Sequence, residues 1–333
     1  MPHATTQAMG EFDLIKRYFT RRSRRAVLGV GDDCALLQPA AGCQLAISSD
    51  MLVEGRHFFP DVDPCALGHK ALAVNLSDLA ACGARPLAFT LALALPRADA
   101  AWLGPFSRGL MALADAHDCE LVGGDTTQGP LTICITVFGE VPVQNGQSLA
   151  LLRSGAQAGD DIYVSGNLGD ARLALECLLG KLTLEPALLA RARQRLETPT
   201  PRVELGTALR GIASAAIDIS DGLLGDLGHI LEASKVGALV DTARASNLMA
   251  IDDLLPATVG EDMRLAWVLA GGDDYELAFT APVGARAAVQ TASVASATRV
   301  TRVGRIQATS GLRLVDAQGA PVTQSFPSFD HFG

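Results

Sequence analysis

The sequence predicts a mixed α/β or α+β protein built from two domains. Short apolar runs typical of strands alternate with longer amphipathic stretches typical of helices along the whole chain. Its 333 residues exceed the size at which a single hydrophobic core usually keeps growing. Residues 141–160 hold Pro142, Asn145, Gly146, Gly155 and Gly159, a set of turn residues that suits a domain boundary. We therefore expect domains at 1–148 and 149–333.

The predicted elements of the first half begin with an amphipathic helix over Glu11 to Arg22, in which Phe12, Ile15 and Phe19 recur at helical spacing. The second predicted helix, 64–81, is stopped by Gly83 and Pro86. The elements that follow the first helix are strand 27–30, strand 45–47, helix 64–81, strand 87–95, helix 102–113, strand 120–122 and strand 131–140.

The second half repeats the alternation of strands and helices without a fixed-period repeat. Pro199 and Pro201 break one of its helical stretches. The other elements are strand 162–164, helix 170–179, strand 215–219, a helix from 223, strand 238–240, helix 264–269, and strands 275–279 and 300–304.

The composition narrows the class of partner and the setting. A net charge of −9 argues against nucleic acid or an anionic membrane as partner, since both need basic patches. The N-terminus lacks the features of a signal peptide, and no apolar run reaches the ~18 residues of a membrane span. Seven Cys form no C-x-x-C pair and are expected to be reduced thiols. These features indicate a cytoplasmic enzyme that binds phosphate through metal.

Six short acidic segments, each predicted to be a turn, are the most informative feature of the chain, and most of them follow a strand-like run. Carboxylates on separate loops, beside Gly and Ser that let a ligand approach the backbone, are typical of Mg²⁺ and nucleotide phosphates. The six segments are Gly31-Asp32-Asp33, Ser48-Ser49-Asp50, Ser77-Asp78, Gly123-Gly124-Asp125, Asp218-Ile219-Ser220-Asp221 and Gly271-Gly272-Asp273-Asp274.

Three of these segments carry a more specific argument. Asp78 continues the apolar stripe of its helix, so its carboxylate should point inward toward a cation rather than cap locally. Gly124 and Asp125, followed by two Thr, suit a phosphate-and-metal loop, although a plain hairpin turn is the alternative. Asp218 and Asp221 flank Ser220 at a strand end and helix start, where anions are favoured.

Several assignments keep an alternative. Asp33 and Asp50, taken singly, could be ordinary turn residues, and Asp221 could be a helix N-cap. His57 could face a substrate phosphate from a loop or could be a half-buried structural histidine. Arg153 could clamp a phosphate or lie at the surface.

The motifs of other enzyme classes do not occur in the sequence. There is no G-x-x-x-x-G-K-[ST] loop, no dinucleotide G-x-G-x-x-G, no H-R-D, no H-E-x-x-H and no G-x-S-x-G. No Cys, His or Ser stands in a recognisable nucleophile arrangement, so we expect no catalytic nucleophile.

Over nearly its whole length the chain resembles the thiamine-monophosphate kinase family, in the superfamily of aminoimidazole ribonucleotide synthetase. The segments that carry the resemblance are Gly29-Val30-Gly31-Asp32-Asp33-Cys34-Ala35, Ser49-Asp50-Met51-Leu52-Val53-Glu54-Gly55-Arg56-His57-Phe58, Ala73-Val74-Asn75-Leu76-Ser77-Asp78-Leu79-Ala80, Gly123-Gly124-Asp125-Thr126-Thr127 and Ile217-Asp218-Ile219-Ser220-Asp221-Gly222-Leu223.

The resemblance implies a two-domain fold like that of aminoimidazole ribonucleotide synthetase, with an N-terminal ATP/Mg-binding sheet domain that forms a homodimer and a C-terminal α/β domain that completes the active site. It implies ATP-dependent phosphorylation of thiamine monophosphate by direct transfer with several Mg²⁺ ions. The implied metal ligands are Asp33, Ser48, Ser49, Asp50, Asp78, Asp125, Asp218 and Asp221. The implied ATP contacts are Gly124, Asp125, Arg153 and Ser220, and the implied thiamine monophosphate contacts are His57, Asp273 and Phe329.

Two positions depart from the family pattern. Asp273 stands where the family usually has Glu, and Phe329 stands where Tyr or Trp is commoner. A Phe ring face still stacks on a thiazolium-type cation but cannot make a phenolic hydrogen bond. The rival functions are an ATP-dependent enzyme like aminoimidazole ribonucleotide synthetase, and a non-catalytic nucleotide-binding subunit of the same fold.

Overall fold

A computed structural model describes residues 10–256 and 259–326 of the chain. The chain divides into two compact units. Unit 1 comprises Met1–Asn75 and Pro86–Glu140, and unit 2 comprises Leu76–Arg85 and Val141–Gly333. The second unit thus begins at 141, inside the stretch expected to hold the boundary, and it also takes a ten-residue segment from the first half.

The helices and strands alternate through both units. The α-helices are α1 (Glu11–Leu14), α2 (Pro64–Ala81), α3 (Ala100–Ala116), α4 (Asp170–Leu178), α5 (Pro186–Glu197), α6 (Val203–Ala208), α7 (Leu223–Ser234), α8 (Thr242–Ala245), α9 (Glu261–Ala270) and α10 (Arg286–Ala295). A π-helical segment covers Ile15–Phe19, and single 3₁₀ turns cover Ser246–Leu248, Asp252–Leu254 and Val283–Ala285.

The strands are β1 (Cys43–Val53), β2 (Arg85–Leu95), β3 (Glu120–Gln128), β4 (Thr132–Gln144), β5 (Gln147–Ser148), β6 (Asp161–Ser165), β7 (Ala215–Ile219), β8 (Gly237–Asp241), β9 (Glu276–Ala281), β10 (Val300–Gln307), β11 (Gly311–Val315) and β12 (Pro321–Val322).

Unit 1 contains a sheet in the order β1-β4-β2-β3, in which β2 and β3 run parallel. Side chains alternate between the two faces of a strand. Phe89 and Leu93 of β2 and Ile133 of β4 are buried, as are Phe106 and Leu110 of α3. The apolar spacing of these residues explains why the segments pair and pack, and one face of the sheet provides the core of the unit.

Unit 2 contains a sheet in the order β12-β11-β8-β10-β6-β9-β7. Most neighbours are antiparallel, but β11 pairs with β8 in parallel. Its core is one large cluster that includes Ile162, Ile217, Leu227, Trp267 and Val268. The mixed α/β fold class predicted from the alternation of elements is therefore confirmed.

Two acidic segments expected in turns lie inside strands. β1 runs without interruption through Ser48, Ser49 and Asp50, and β3 runs through Gly124 and Asp125. The expectation of turns there was wrong because Gly, Ser and Asp favour turns only locally. Pairing with distant strands overrides that preference.

The first helix is also shorter than predicted. α1 and the π-helical segment end at Phe19, whereas the apolar spacing predicted a helix to Arg22. The main-chain N–H and the hydroxyl of Thr20 both donate to the carbonyl of Ile15, at 3.0 and 3.2 Å, which closes the last turn. The predicted strand at 27–30 is reduced to isolated bridges.

Among the described residues, no helix has both the length and the apolarity needed to cross a membrane. The seven cysteines are free thiols.

Candidate active site

A cavity of about 900 Å³ in unit 1 brings together three residues predicted from the sequence. Asp33, Gly124 and Asp125 line it, although Asp33 and Asp125 lie more than ninety residues apart in the chain. Lys16 and Thr20 from the N-terminal segment line it as well. Asp32 also lines the cavity and apolar side chains complete the wall, so three Asp residues meet a surface suited to a flat, uncharged group.

Gly124 lies at an irregular point in the pairing of β3 with β2. Phe89 faces Leu121 and Thr90 faces Gly123, so Val122 is an extra residue in β3. Gly124 has φ +145°, and a Cβ atom there would overlap the main chain of Leu91. Such bulges bend a strand and redirect its side chains, often next to active sites. This bulge leaves Asp125 exposed at the cavity.

Asp33 reaches the cavity from a tight turn that begins at Gly31, whose φ is +124°. The Asp33 N–H donates to Oδ1 of Asp32 at 2.9 Å. One carboxylate therefore holds the turn, while the Asp33 carboxylate remains exposed. The sequence contains both Asp residues, but only the hydrogen bond distinguishes their roles.

Along β1 the three predicted ligands do not share a face. The Ser49 hydroxyl donates to the carbonyl of Ile135 at 3.1 Å and lies 3.0 Å from Oγ1 of Thr136 on β4. Since neighbours on a strand point to opposite faces, the Ser49 side chain faces away from those of Ser48 and Asp50. Only its main-chain carbonyl can join them at one metal ion.

Asn75 positions Asp50 and was missed by sequence reasoning. This fully buried residue of α2 accepts the Asp50 N–H on its Oδ1 at 3.0 Å. Its Nδ2 donates to the carbonyl of Ala71 at 3.0 Å, which fixes the orientation of the amide. The available signal was the position of Asn75 in the otherwise apolar run from Ala71 to Leu76, because a buried amide needs partners.

His57 lies in the turn that follows β1. Its Nδ1 accepts the main-chain N–H of Val53, and the main-chain N–H of His57 donates to the Val53 carbonyl, both at 3.0 Å. An accepting Nδ1 places the proton of the neutral ring on Nε2, which is then a donor. The two alternatives for His57 are thus compatible, because one ring nitrogen holds the turn and the other can donate to an anion.

In unit 2, Asp218 at the end of β7 pairs with the last turns of α2. The Ser77 hydroxyl donates to Oδ2 of Asp218 at 2.8 Å, and both residues are buried. Asp78 follows Ser77 in the helix and is half-buried, whereas its neighbours are fully buried. This part of α2 is buried on all faces, so one apolar stripe does not set the direction of Asp78, and its inward carboxylate remains a prediction.

The loop from Ser220 to Gly222 is held by Asp226, which sequence reasoning also missed. Oδ2 of Asp226 accepts the N–H groups of Ser220, Asp221 and Gly222 at 3.0, 3.1 and 3.1 Å. Burial raises the pKa of Asp226 to about 7, against the lowering effect of these hydrogen bonds. Gly222 is the N-cap of α7, so the N-cap alternative for Asp221 was wrong.

Asp273 and Asp274 have separate surroundings. Asp273 and Tyr275 both have left-handed backbones, with φ +66° and +50°, and their N–H groups donate to the carbonyls of Ser220 and Ile219 at 2.8 Å. Asp273 is half-buried beside the Ser220 loop. Asp274 is fully buried and accepts the Gly169 N–H, and burial raises its pKa well above its ordinary value.

One predicted residue, Arg153, is not brought to the Ser220 loop. The carbonyl of Arg153 accepts a hydrogen bond from Ser234, the last residue of α7, whereas Ser220 precedes the first turn of that helix. Twelve residues of helix separate these ends by ~18 Å. The Arg153 side chain is exposed. Phe329 lies outside the described residues.

The donors in the cavity fit Mg²⁺ in part. No group of three or more His, Cys, Asp and Glu side chains able to hold a metal occurs within residues 10–256 and 259–326. Mg²⁺ usually binds to one or two carboxylates together with substrate phosphates and water rather than to an all-protein cage. Asp33 and Asp125, two carboxylates at one cavity, match that donor set.

Comparison with known proteins identifies the family. A thiamine-monophosphate kinase from Salmonella typhimurium is 48% identical over 330 residues, which cover 98% of this chain and 99% of that protein. The chain belongs to the thiamine-monophosphate kinase family. Members of this family are kinases, and the resemblance stated from the acidic motifs is confirmed.

Solved structures extend the comparison to the fold. A thiamine-monophosphate kinase from Stenotrophomonas maltophilia K279a is 46% identical, with a TM-score of 0.80, over 90% of this chain and 92% of that one. AaThiL complexed with AMPPCP and TMP is 30% identical, with a TM-score of 0.73, over 88% of each chain. Residues 31–141 match the N-terminal domain of AIR synthase related proteins. The family fold is therefore present in this chain.

Proposed function

We propose that the chain transfers the γ-phosphate of ATP to thiamine monophosphate, which yields thiamine diphosphate in the last step of that cofactor's biosynthesis. The observation that carries this proposal is the cavity that joins Asp33, Gly124 and Asp125. Its volume lies within the range of small-molecule sites, ~300–1,000 Å³. The family relative complexed with AMPPCP and TMP supports the same pair of substrates.

For ATP, we assign the triphosphate to the β3 bulge and the base to the apolar part of the cavity. The main chain of Gly124 is exposed at the cavity, so a phosphate can approach it closely. The Ser220 hydroxyl is a further donor, since its N–H is already bound to Asp226. Arg153 remains a proposed ATP contact. Its position beside the C-terminal end of α7, away from Ser220, does not support that assignment.

Mg²⁺ would be held by the carboxylates of Asp33, Asp50, Asp78, Asp125, Asp218 and Asp221, the Ser48 side chain and the Ser49 carbonyl. Bound Mg²⁺ supplies charge neutralisation at the transferring phosphate. The carboxylates orient the bound groups, and Asn75 and Asp226 fix the backbones that carry two of them. Little covalent work falls to the side chains in such a transfer.

For thiamine monophosphate, we assign the phosphate to the Nε2–H of His57 and the cationic ring system to Asp273 and Phe329. A neutral imidazole with Nδ1 occupied by Val53 donates only from Nε2. The Asp273 carboxylate offers an opposite charge, and an aromatic face attracts a ring cation.

We propose direct in-line attack by the phosphate oxygen of thiamine monophosphate, without a phosphoenzyme. No recognisable nucleophile arrangement occurs in the sequence, and positioning with charge neutralisation suffices for phosphoryl transfer. A chiral γ-phosphate of ATP should arrive with inverted configuration. Retention of configuration, or label left on the protein by ATP alone, would contradict direct transfer.

We further propose that the protein is a homodimer. β1 is an edge strand of its sheet. One face of this strand carries the exposed side chains of Leu45, Ile47 and Met51. A row of exposed apolar side chains on a sheet face is typical of a protein interface. The cytoplasmic location expected from the sequence remains a prediction.

The test of the proposed function is turnover with ATP and thiamine monophosphate, combined with Asp125→Asn. The variant keeps the shape of the side chain but removes a charge, so the rate should fall by on the order of 10²-fold, with a raised Mg²⁺ requirement. Asp115→Asn, at an exposed surface ion pair of the same unit, is the control. ATP binding without turnover on thiamine monophosphate would favour the non-catalytic alternative and overturn the proposal.

A further inference from the structure

We propose that Asp226 is a positioning residue for the transfer reaction, which it serves by holding the Ser220–Gly222 main chain in the conformation that presents Ser220 and Asp221. The inference rests on the proposed function, because Ser220 and Asp221 are the residues assigned there to ATP and Mg²⁺. It concerns a residue that needs to touch neither substrate nor metal.

The hydrogen bonds to Asp226 converge on a single atom. Three consecutive N–H groups, those of Ser220, Asp221 and Gly222, point to Oδ2 at 3.0–3.1 Å, and the Asp226 side chain is 4% exposed. Successive N–H groups at a helix N-terminus form a concave site that commonly binds a phosphate. Here the chain fills that site with its own carboxylate, so a nucleotide phosphate is not needed to order it.

The binding of these N–H groups by Asp226 has a direct consequence for the side chains of Ser220 and Asp221. The backbone of Ser220 and Asp221 is fixed from beneath, so the Ser220 hydroxyl and the Asp221 carboxylate are the groups left to meet a ligand. Both residues are half-buried rather than buried. The N–H groups of this helix start, which were expected to favour an external anion, are instead bound to a carboxyl oxygen of the chain itself.

The opposite side of the loop is also fixed by hydrogen bonds. The Ser220 carbonyl accepts the Asp273 N–H at 2.8 Å, and a Cβ on Gly222 would overlap the main chain of Ala270. Gly222 has φ +115°, a backbone conformation that favours glycine. Without Asp226, three N–H groups lose their acceptor. The carbonyls of Ile219 and Ser220 still accept the N–H groups of Tyr275 and Asp273, so rotation is expected mainly in the peptide plane between Asp221 and Gly222.

The experiment compares variants of Asp226 in the full-length protein. Asp226→Ala removes the acceptor, whereas Asp226→Asn keeps one oxygen in place for the three N–H groups. Asp226→Ala should raise the Kd for AMPPCP in the presence of Mg²⁺, and the Mg²⁺ concentration for half-maximal rate, by about tenfold or more, since misplacement of ~1 Å can cost on the order of 10²-fold. Asp226→Asn should restore most of both values.

Asp160→Asn is the matched control. Asp160 is a buried Asp of the same unit whose Oδ2 accepts the Gln157 N–H and the Ser214 hydroxyl, at 3.0 and 2.6 Å. Its loss should lower thermal stability without changing the AMPPCP or Mg²⁺ constants. Equal shifts in Asp160→Asn and Asp226→Ala would show a general stability effect and overturn the proposal.

Two further outcomes are decisive. If Asp226→Ala does not fold, Asp226→Glu is used, which keeps the charge but displaces the oxygen by one methylene; unchanged constants in a folded variant overturn the proposal. If the wild type binds Mg²⁺ and AMPPCP but transfers no phosphate to thiamine monophosphate, the proposed function fails. The comparison of AMPPCP Kd values still decides the role of Asp226.

Discussion

At the scale of single residues, hydrogen bonds separate roles that residue type alone leaves open. His57 is the clearest example, because one ring nitrogen serves the turn at Val53 and the other is a donor. Asn75 and Asp226 are further examples, since each uses its side chain on main-chain groups next to a predicted ligand.

His57→Asn separates the two functions of the imidazole. The Asn oxygen can replace Nδ1 as acceptor for the Val53 N–H, but nothing replaces the Nε2 donor. We expect the KM for thiamine monophosphate to rise by about tenfold or more, while the KM for ATP and the thermal midpoint stay close to wild type. Steady-state kinetics with each substrate varied in turn measures this. Equal changes for both substrates would instead indicate a structural role.

Asp161 gives a prediction for the pH dependence of stability. This buried carboxylate accepts hydrogen bonds from Arg286 at 2.6 and 3.0 Å and from Arg302 at 3.3 Å, and the bonds to Arg286 are the main cause of its lowered pKa. A pKa below the unfolded value of 3.8 stabilises the fold above that pH, and the gain is lost as the pH falls through the folded pKa.

We therefore expect Asp161→Asn to be less stable than wild type at pH 7, and the difference should shrink below pH ~4. Urea unfolding at several pH values measures both free energies. Asp115→Asn, at a surface pair with Arg21, should change the free energy of unfolding by only about 0–1 kcal/mol. A difference between Asp161→Asn and wild type that is independent of pH would contradict this account.

At the scale of elements, the bulge in β3 gives a prediction about Gly124. A Cβ on Gly124 would overlap the Leu91 main chain, and its φ of +145° belongs to a region used almost only by Gly. We expect Gly124→Ala to destabilise by more than the ~1–3 kcal/mol of the backbone strain alone, and to weaken AMPPCP binding. Gly42→Ala is the control, with φ +77° and open space around it. Equal stability of the two variants would contradict the overlap.

The bounds of the helices and strands also show which parts of the fold the local sequence predicts. α2 and β7 have the predicted bounds, 64–81 and 215–219, because a proline start, glycine stop or continuous apolar run marks their ends. β1 and β3 run further than predicted, through Asp50 and Asp125, since pairing with distant strands sustains them. The acidic motifs indicated the kinase family correctly, but Asn75 and Asp226 could not be assigned, because their partners are main-chain groups.

At the scale of the whole molecule, the exposed side chains of β1 give a prediction about assembly. Ile47 is 60% exposed in the row with Leu45 and Met51. We expect the wild type to be a dimer at micromolar concentration and Ile47→Asp to shift it toward the 34.7 kDa monomer, since a buried charge opposes association. Light scattering measures the mass. Val294→Asp, at a 70% exposed residue of α10, should leave the wild-type mass unchanged.

A monomeric wild type would contradict the homodimer. A dimer insensitive to Ile47→Asp but lost in Val294→Asp would place the interface elsewhere.

The left-handed backbones of Asp273 and Tyr275 lower thermal stability, and at Asp273 this cost accompanies the carboxylate assigned to substrate binding. Each such residue costs about 1–2 kcal/mol relative to glycine in the same conformation. Glycine at 273 would relieve that cost, but it would also delete the carboxylate assigned to thiamine monophosphate. Selection for thermal stability alone would therefore favour the loss of Asp273, whereas selection for activity would favour an acid at that position.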